Sequence, residues 1–323
     1  MKKKIVIIGG CGFIGLNVLE YFVKKVNADF FVIDNLKGAS SKKNLKILKN
    51  KFKKIKFYKK DVSNYKFISS FVKKFKPNVI LGLHGQVAVT KSIKDPTYDL
   101  KSNFLSIFYT LEAIRNFSPS SQFITLSSNK VYGSNTKQLV NEKFPLEFNT
   151  PYACSKGSAD QYVLDYSRIF KLKCLSLRLS CVYGQNQWGT EDQGWISWFV
   201  KRIIEKKKIR LFGNGRQIRD ILHVNDLSRL ILILMKNKKK CSGQAFNVGG
   251  GKKNQISLID LIKKVEKYLT TKTKVSLHPA RYGDQRYFVN DLKKVFNFTK
   301  WKPQISIDRG LRMYLDWYLK NIS

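Results

Sequence analysis

Two rhythms of apolar residues alternate along the first half of the chain. Short runs rich in apolar residues occur at 4–8 (KIVII), 30–34 (FFVID), 55–62 (IKFYKKDV), 78–83 (NVILGL), 121–128 (SQFITLSS) and Lys173–Leu179 (KCLSLRL). Stretches with helical spacing separate them: 13–26, then 64–76 (stopped by Pro77), 96–117, and Pro151–Phe170. Pro151 stands at a first turn, where its missing N–H costs nothing. Strands alternating with helices predict an α/β fold of the Rossmann type, a doubly wound parallel sheet.

Beyond Gly184 the rhythm becomes irregular, and Trp188, Trp195 and Trp198 crowd together. Residues 209–222 (IRLFGNGRQIRDIL) read as two short strands around Gly213 and Gly215. A helix over 223–235 and a strand at 245–250 (AFNVGG) return to the main sheet. The remainder, 257–323, holds a helix, a strand and a terminal amphipathic helix. No linker or repeat marks a boundary, so the smaller lobe is expected to be discontinuous.

Composition narrows the class. With 323 residues, 43% of them hydrophobic and 26% charged, the chain is long and apolar enough to bury a core. Its longest apolar candidate, 230–235, is far too short for a membrane span. The opening MKKKIVIIGGCGFIG imitates a secretory signal, but glycines interrupt it and no small-residue cleavage site follows. Five scattered cysteines without a C-x-x-C pair, and three distant histidines, signal no zinc site; free thiols suit a reducing cytosol. The net charge is +39, yet only 12 of the 61 basic residues are arginine and the lysines are spread everywhere. That pattern reads as solvated faces, with neither a nucleic acid nor a membrane as partner.

The chemistry starts at the first turn. Gly9, Gly12 and Gly15 form G-x-x-G-x-x-G between a strand and a helix. Such a turn allows backbone to approach a pyrophosphate at a helix N-terminus. Asp34, at the end of the second strand, suits a ribose 2′-hydroxyl and would repel a 2′-phosphate, which favours NAD over NADP. Lys37, Lys42 and Lys43 lie nearby and weaken that preference. Tyr-x-x-x-Lys occurs three times, at Tyr21/Lys25, Tyr152/Lys156 and Tyr268/Lys272, a number that chance alone approaches in so lysine-rich a chain. Context singles out Tyr152/Lys156. They share one helix face just after a strand ending in Ser127 and Ser128, and strand C-terminal edges are where doubly wound sheets bind ligands. A neighbouring cation lowers a phenol's pKa and makes it a usable base.

These segments, with KDV at Asp61, SSNKVYG, PYACSK, GNGRQIRD and DQRYFVNDLKK, make the chain similar to the extended short-chain dehydrogenases/reductases, the NAD-dependent nucleotide-sugar epimerases and dehydratases. The resemblance implies Ser128, Tyr152 and Lys156 as the catalytic set. It implies Gly9, Gly12, Phe13, Ile14, Gly15, Asp34, Asn35, Asp61, Val62 and Asn103, with Tyr152 and Lys156, as the NAD contacts. Gln86, Ser128, Asn129, Arg219 and Arg286 are the implied substrate contacts, the arginines clamping a pyrophosphate. Asn129 and Lys130 stand where dehydratases carry an Asp-Glu pair, so dehydration is disfavoured. The longer strings resemble the branch that inverts carbon 2 of a CDP-dideoxyhexose. A 4-epimerase of the UDP-galactose type, and a non-catalytic RNA-binding member of the fold, are the alternatives.

Residues 1–182 with about 223–250 are expected to form the NAD-binding part, and about 183–222 with 251–323 the nucleotide-sugar lobe. Helices 96–117 and Pro151–Phe170 are expected to join a homodimer or homotetramer, as in the family. Ile8 and the segment Gly82-Leu83-His84 depart from the family pattern. His84 reads as a hydrogen-bonded histidine more readily than a cofactor contact, and Glu191/Asp192 as solvated loop.

Overall fold

The computed structural model describes residues 2–134 and 138–322. Met1 and Ser323, the outermost residues of the two expected lobes, and 135–137 lie outside that description. The first half follows the apolar rhythm: β1 (Lys3–Ile8), α1 (Phe13–Val23), β2 (Ala28–Asp34), α2 (Ser41–Lys51), β3 (Lys56–Lys59), α3 (Tyr65–Phe75) and β4 (Val79–Gly82). After α4 (Val89–Lys94), the helix expected over 96–117 runs through without a gap but carries one π-helical turn. It consists of α5 (Pro96–Leu100), a π-helical turn (Lys101–Leu105) and α6 (Ser106–Phe117). The wide turn carries Asn103 inward, its amide 2.9 Å from Asp99 Oδ1. β5 (Gln122–Ser128), β6 (Leu139–Val140), α7 (Pro151–Phe170) and β7 (Lys173–Leu179) follow.

The second half runs β8 (Cys181–Tyr183), α8 (Trp195–Ile204), β9 (Ile209–Phe212), β10 (Ile218–His223), α9 (Val224–Lys236), α10 (Lys238–Cys241), β11 (Ala245–Val248), β12 (Gln255–Ser257), α11 (Leu258–Leu269), β13 (Val275–His278), β14 (Tyr287–Asn290), α12 (Lys293–Thr299) and α13 (Ile307–Ile322). Among the described residues, seven strands form one sheet in the order β11-β7-β5-β4-β1-β2-β3. Every pairing in it is parallel. The strand order turns back at β1, flanked by β2 and β4. Ligand crevices form outside the strand ends at such a switch point.

Alternation builds the two faces. Ile5, Ile7, Val32, Leu81 and Ile124 point into one core, with α1 and α9. Val6, Ile8, Phe31, Ile80 and Phe123 point into the other, with α3, α6 and α7. Both faces are covered, which is why these strands read as nearly unbroken apolar runs. The first strand, so like a secretory signal in sequence, is an interior strand of this sheet.

A separate core joins α8, β9, α11 and α13 through Phe199, Leu211, Leu261 and Tyr314. The two strands around Gly213 and Gly215 do not pair with each other. β9 pairs with β13, and β10 pairs with β12, β14 and β8. β8 and β10 run on directly from β7 and into α9, so this second assembly hangs beside the C-terminal edge of the main sheet.

Candidate active site

A cleft of about 440 Å³ opens at the C-terminal ends of β1, β2, β4 and β5. The first turn forms its floor. Gly9 has φ +78°, and Gly12 N donates to Gly9 O at 2.9 Å. A Cβ at Gly15 would lie 2.1 Å from Gly9 O, so this glycine lets α1 close against the turn. At Gly12 a Cβ would meet only Gly9 O, at 3.0 Å, and would otherwise stand in the cleft. That open cradle before a helix N-terminus fits a pyrophosphate.

Asp34 closes one end. Its carboxylate accepts from Cys11 N (2.9 Å) and Leu36 N (2.7 Å); burial raises its pKa against those backbone donors. Asn35 Nδ2 donates to Asp61 Oδ2 at 3.0 Å. Burial works against the Asp61 carboxylate, but Ser63 and Asn35 hold it below the usual range. Of the three lysines near Asp34, Lys37 lines the cleft, over the Tyr98 ring and near Asp61, and Lys43 stands over Trp188. These donors and acceptors fit the adenosine half of NAD.

At the other end stand Ser128, Tyr152 and Lys156, all buried and all lining the cleft. Thr150 caps α7 by accepting from Ala153 N, which puts Tyr152 in the first turn and Lys156 one turn later. Lys156 Nζ donates to Leu126 O at 3.1 Å. Burial pushes the Tyr152 phenol up to about 12 against a hydrogen bond from Ser128. Burial also pulls the Lys156 ammonium down to about 8 against the charge of Asp99. The hydrogen bond from Ser128 favours the phenolate, and desolvation outweighs it.

Most residues singled out from the sequence meet here. Gly9, Gly12, Phe13, Ile14, Asp34, Asn35, Asp61, Val62, Gln86, Ser128, Asn129, Tyr152 and Lys156 all line the cleft. Gly15 and Asn103 lie behind it, and Arg219 and Arg286 beyond it. Arg219 is 6% exposed and donates to Asp284 Oδ1 at 2.7 Å. Arg286 is exposed, and its guanidinium has no partner among the described residues. Gln86 commits its amide to Asp99 and Ala88, and Asn129 donates to Gln285 Oε1 at 2.9 Å. His84 lines the cleft with Nε2 2.8 Å from Ser106 Oγ; burial, aided by Lys156, pulls its imidazole down to about 3.

Of the other lining residues, Trp195 stood out in the sequence only as one of the crowded tryptophans, and Cys181 carried no signal. Cys181 and Trp195 form a wall, Trp195 Nε1 pointing to Cys181 Sγ at 3.3 Å. The tryptophans thus divide, since Trp188 packs on Trp317 and Tyr318 instead. Glu191 and Asp192 are not merely solvated: Glu191 pairs with Arg210, and Asp192 accepts from Thr90 at 2.8 Å. Among the described residues no group of acids, histidines and cysteines is placed to hold a metal, and no helix is long and apolar enough to cross a membrane.

Comparison with known proteins gives the same picture. A family model described as GDP-mannose 4,6 dehydratase matches residues 6–314. The CDP-paratose 2-epimerase of Salmonella typhi is 36% identical, over 97% of this chain and 98% of that protein. The crystal structure of Thermotoga maritima UDP-glucose 4-epimerase with UDP-glucose superposes with a TM-score of 0.90 at 25% identity, covering 99% of this chain and all of that one. A dTDP-glucose 4,6-dehydratase from Bacillus anthracis in complex with NAD gives 0.85 at 25% identity, over 99% and 97% of the two chains.

Proposed function

Because the chain belongs to the GDP-mannose 4,6 dehydratase family, the NAD-dependent nucleotide-sugar epimerases and dehydratases, we propose that this enzyme is a cytosolic 2-epimerase converting CDP-paratose to CDP-tyvelose. The observation that carries the choice of sugar is the margin of similarity: 36% to a CDP-paratose 2-epimerase, against 28% to a UDP-glucuronate 4-epimerase and 26% to a dTDP-glucose 4,6-dehydratase. The residue after Asn129 supports it. Lys130 donates to Gly283 O at 3.0 Å and lies 3.5 Å from Asp284, so a cation occupies the place of the acid that dehydration requires.

In this reading Tyr152 takes the proton of the sugar hydroxyl, and Ser128 hydrogen-bonds the reacting oxygen. Lys156 holds positive charge beside the phenolate. NAD, when bound, would supply a hydride acceptor and, once reduced, a hydride donor, and the keto sugar would turn in the cleft to offer its opposite face. Gly9, Gly12, Phe13, Ile14 and Gly15 form its pyrophosphate turn, and Asp34, Asn35, Asp61 and Val62 its adenosine rim. Arg219 and Arg286 meet the substrate diphosphate. Residues 1–182 with about 223–250 bind the cofactor, and the remainder binds the nucleotide sugar. Tyr162, Ile169 and Phe170 leave much of α7 exposed and apolar, a face for a second copy in a homodimer or homotetramer.

The test is incubation with CDP-paratose in deuterated water. CDP-tyvelose carrying no deuterium at carbon 2 is expected, because one phenol and one hydride serve both half-reactions. Deuterium there would refute hydride return. Inversion at carbon 4 of a UDP-hexose, with none at carbon 2 of paratose, would replace the substrate by that of a 4-epimerase.

A further inference from the structure

Asp99 has no role in the reading above, yet it sits fully buried behind the catalytic pair. Two amides and a hydroxyl hold it. Gln86 Nε2 lies 2.7 Å and Asn103 Nδ2 2.9 Å from Oδ1, and Ser155 Oγ lies 2.5 Å from Oδ2. A carboxylate removed from water is costly unless it is satisfied in this way. The three donors come from three places: the cleft loop after β4, the π-helical turn, and α7 between Tyr152 and Lys156. The carboxylate's charge is felt by both Tyr152 and Lys156.

We propose that Asp99 is a positioning residue for the Tyr152–Lys156 pair, fixing the first turn of α7 against the cleft loop and placing a negative charge behind it. The inference rests on the catalytic roles given above to Tyr152 and Lys156. The π-helical turn, a distortion that often marks functional sites, turns Asn103 onto Asp99.

Asp99→Asn separates shape from charge. Its carbonyl oxygen can face the amides of Gln86 and Asn103, while its Nδ2 faces Ser155 Oγ. The Ser155 hydroxyl then keeps an acceptor in Tyr152 O, 3.2 Å away. Hydrogen bonding survives and the negative charge does not. Both members of the pair then hold their protons less tightly, so proton loss begins at lower pH. The other ionisable groups lining the cleft, Asp34, Lys37, Lys60 and Asp61 from the β2 and β3 ends, His84 from the β4 loop, Lys91 from α4, Tyr98 from α5, Lys101 from the π-helical turn and Cys181 from β8, are the same in both proteins.

The experiment is ¹⁹F NMR on the purified full chain containing 3-fluorotyrosine, with Tyr152 identified by the resonance lost in Tyr152→Phe. A ring fluorine lowers every phenol's pKa, bringing a high one into range. Asp99→Asn is expected to lower the Tyr152 midpoint by about one pH unit. Ser155→Ala, which keeps the charge, should move it by a few tenths at most. An unchanged or higher midpoint in Asp99→Asn, or an equal fall in Ser155→Ala, overturns the proposal. If the asparagine variant does not fold, Asp99→Ser also removes the charge and must lower the midpoint likewise. The catalytic reading fails separately: full turnover by Tyr152→Phe would sink it whatever the titration shows.

Discussion

The Arg219 guanidinium lies 2.7 Å from Asp284 Oδ1, and the Lys130 ammonium reaches to within 3.5 Å of that same oxygen. Two cations share one carboxylate. Burial works against the Asp284 charge, but Arg219 and Lys130 hold its pKa below the usual range. The cluster keeps an excess positive charge beside the cleft wall at Cys181, where a substrate diphosphate is proposed to lie.

Arg219→Met should therefore weaken CDP binding, measured by calorimetry, by about tenfold to a hundredfold, the worth of hydrogen bonds to a charged group. Lys130 remains to pair Asp284, so thermal stability should change little. Unaltered CDP affinity would remove Arg219 from the substrate site.

The two inner glycines of the first turn should fail differently. In Gly12→Ala the new methyl enters the cradle, so the protein should fold but lose at least tenfold in NAD affinity. In Gly15→Ala the methyl runs into Gly9 O and Gly10 Cα, and overpacking of this kind should cost about 2 kcal/mol in urea unfolding. Equal loss of stability in both variants would contradict the division of roles.

Asp160 and Arg178 form a buried ion pair, Oδ2 to Nη2 at 2.6 Å, with side chains 0% and 4% exposed. Arg178 also donates to the Tyr132 hydroxyl at 2.8 Å, tying α7 and β7 to the segment after Ser128. Asp160→Asn leaves the guanidinium buried without its counter-charge. It should cost about 3–5 kcal/mol in denaturant unfolding. A loss below about 1 kcal/mol would mean that the pair is largely solvated.

Acid should destabilise the protein through His223. This side chain is 1% exposed, and burial pulls its imidazole from 6.5 down to about 4, against the charge of Asp226. Its folded pKa is lowered, so between pH 6.5 and 4 the unfolded chain takes up a proton that the folded chain refuses. Stability is lost as pH falls through that window, at up to about 1.4 kcal/mol per pH unit from this one group. His223→Asn keeps an N-cap for α9 and removes the titration. Urea midpoints at pH 7 and pH 5 should therefore differ less in the variant than in the wild type.

The local parts of the fold were legible before any coordinates. β1, its glycine turn and α1 follow from one apolar run and three glycines. α7 begins at Pro151 and ends at Phe170 as the spacing predicts. Its i, i+4 geometry places Tyr152 and Lys156 on one face, and the sheet brings Ser128 to them. Each of these features rests on contacts within one element or between neighbouring ones, which is what periodicity records.

Tertiary structure decided the rest. No pattern along the chain ties Asn129 to Gln285, 156 residues away, or Arg219 to Asp284, yet those pairs fix the polar side chains at and beyond one wall of the cleft. Strands β9 and β10 were legible as strands, but not their partners, β13 for the one and β8, β12 and β14 for the other. The π-helical turn within the helix over 96–117 was equally hidden, as were the donors from the cleft loop and α7 that share a carboxylate on that helix. Hydrophobic spacing says which face of an element is buried. It does not say which polar group on another element will be waiting there, and at this site those partners set the charge.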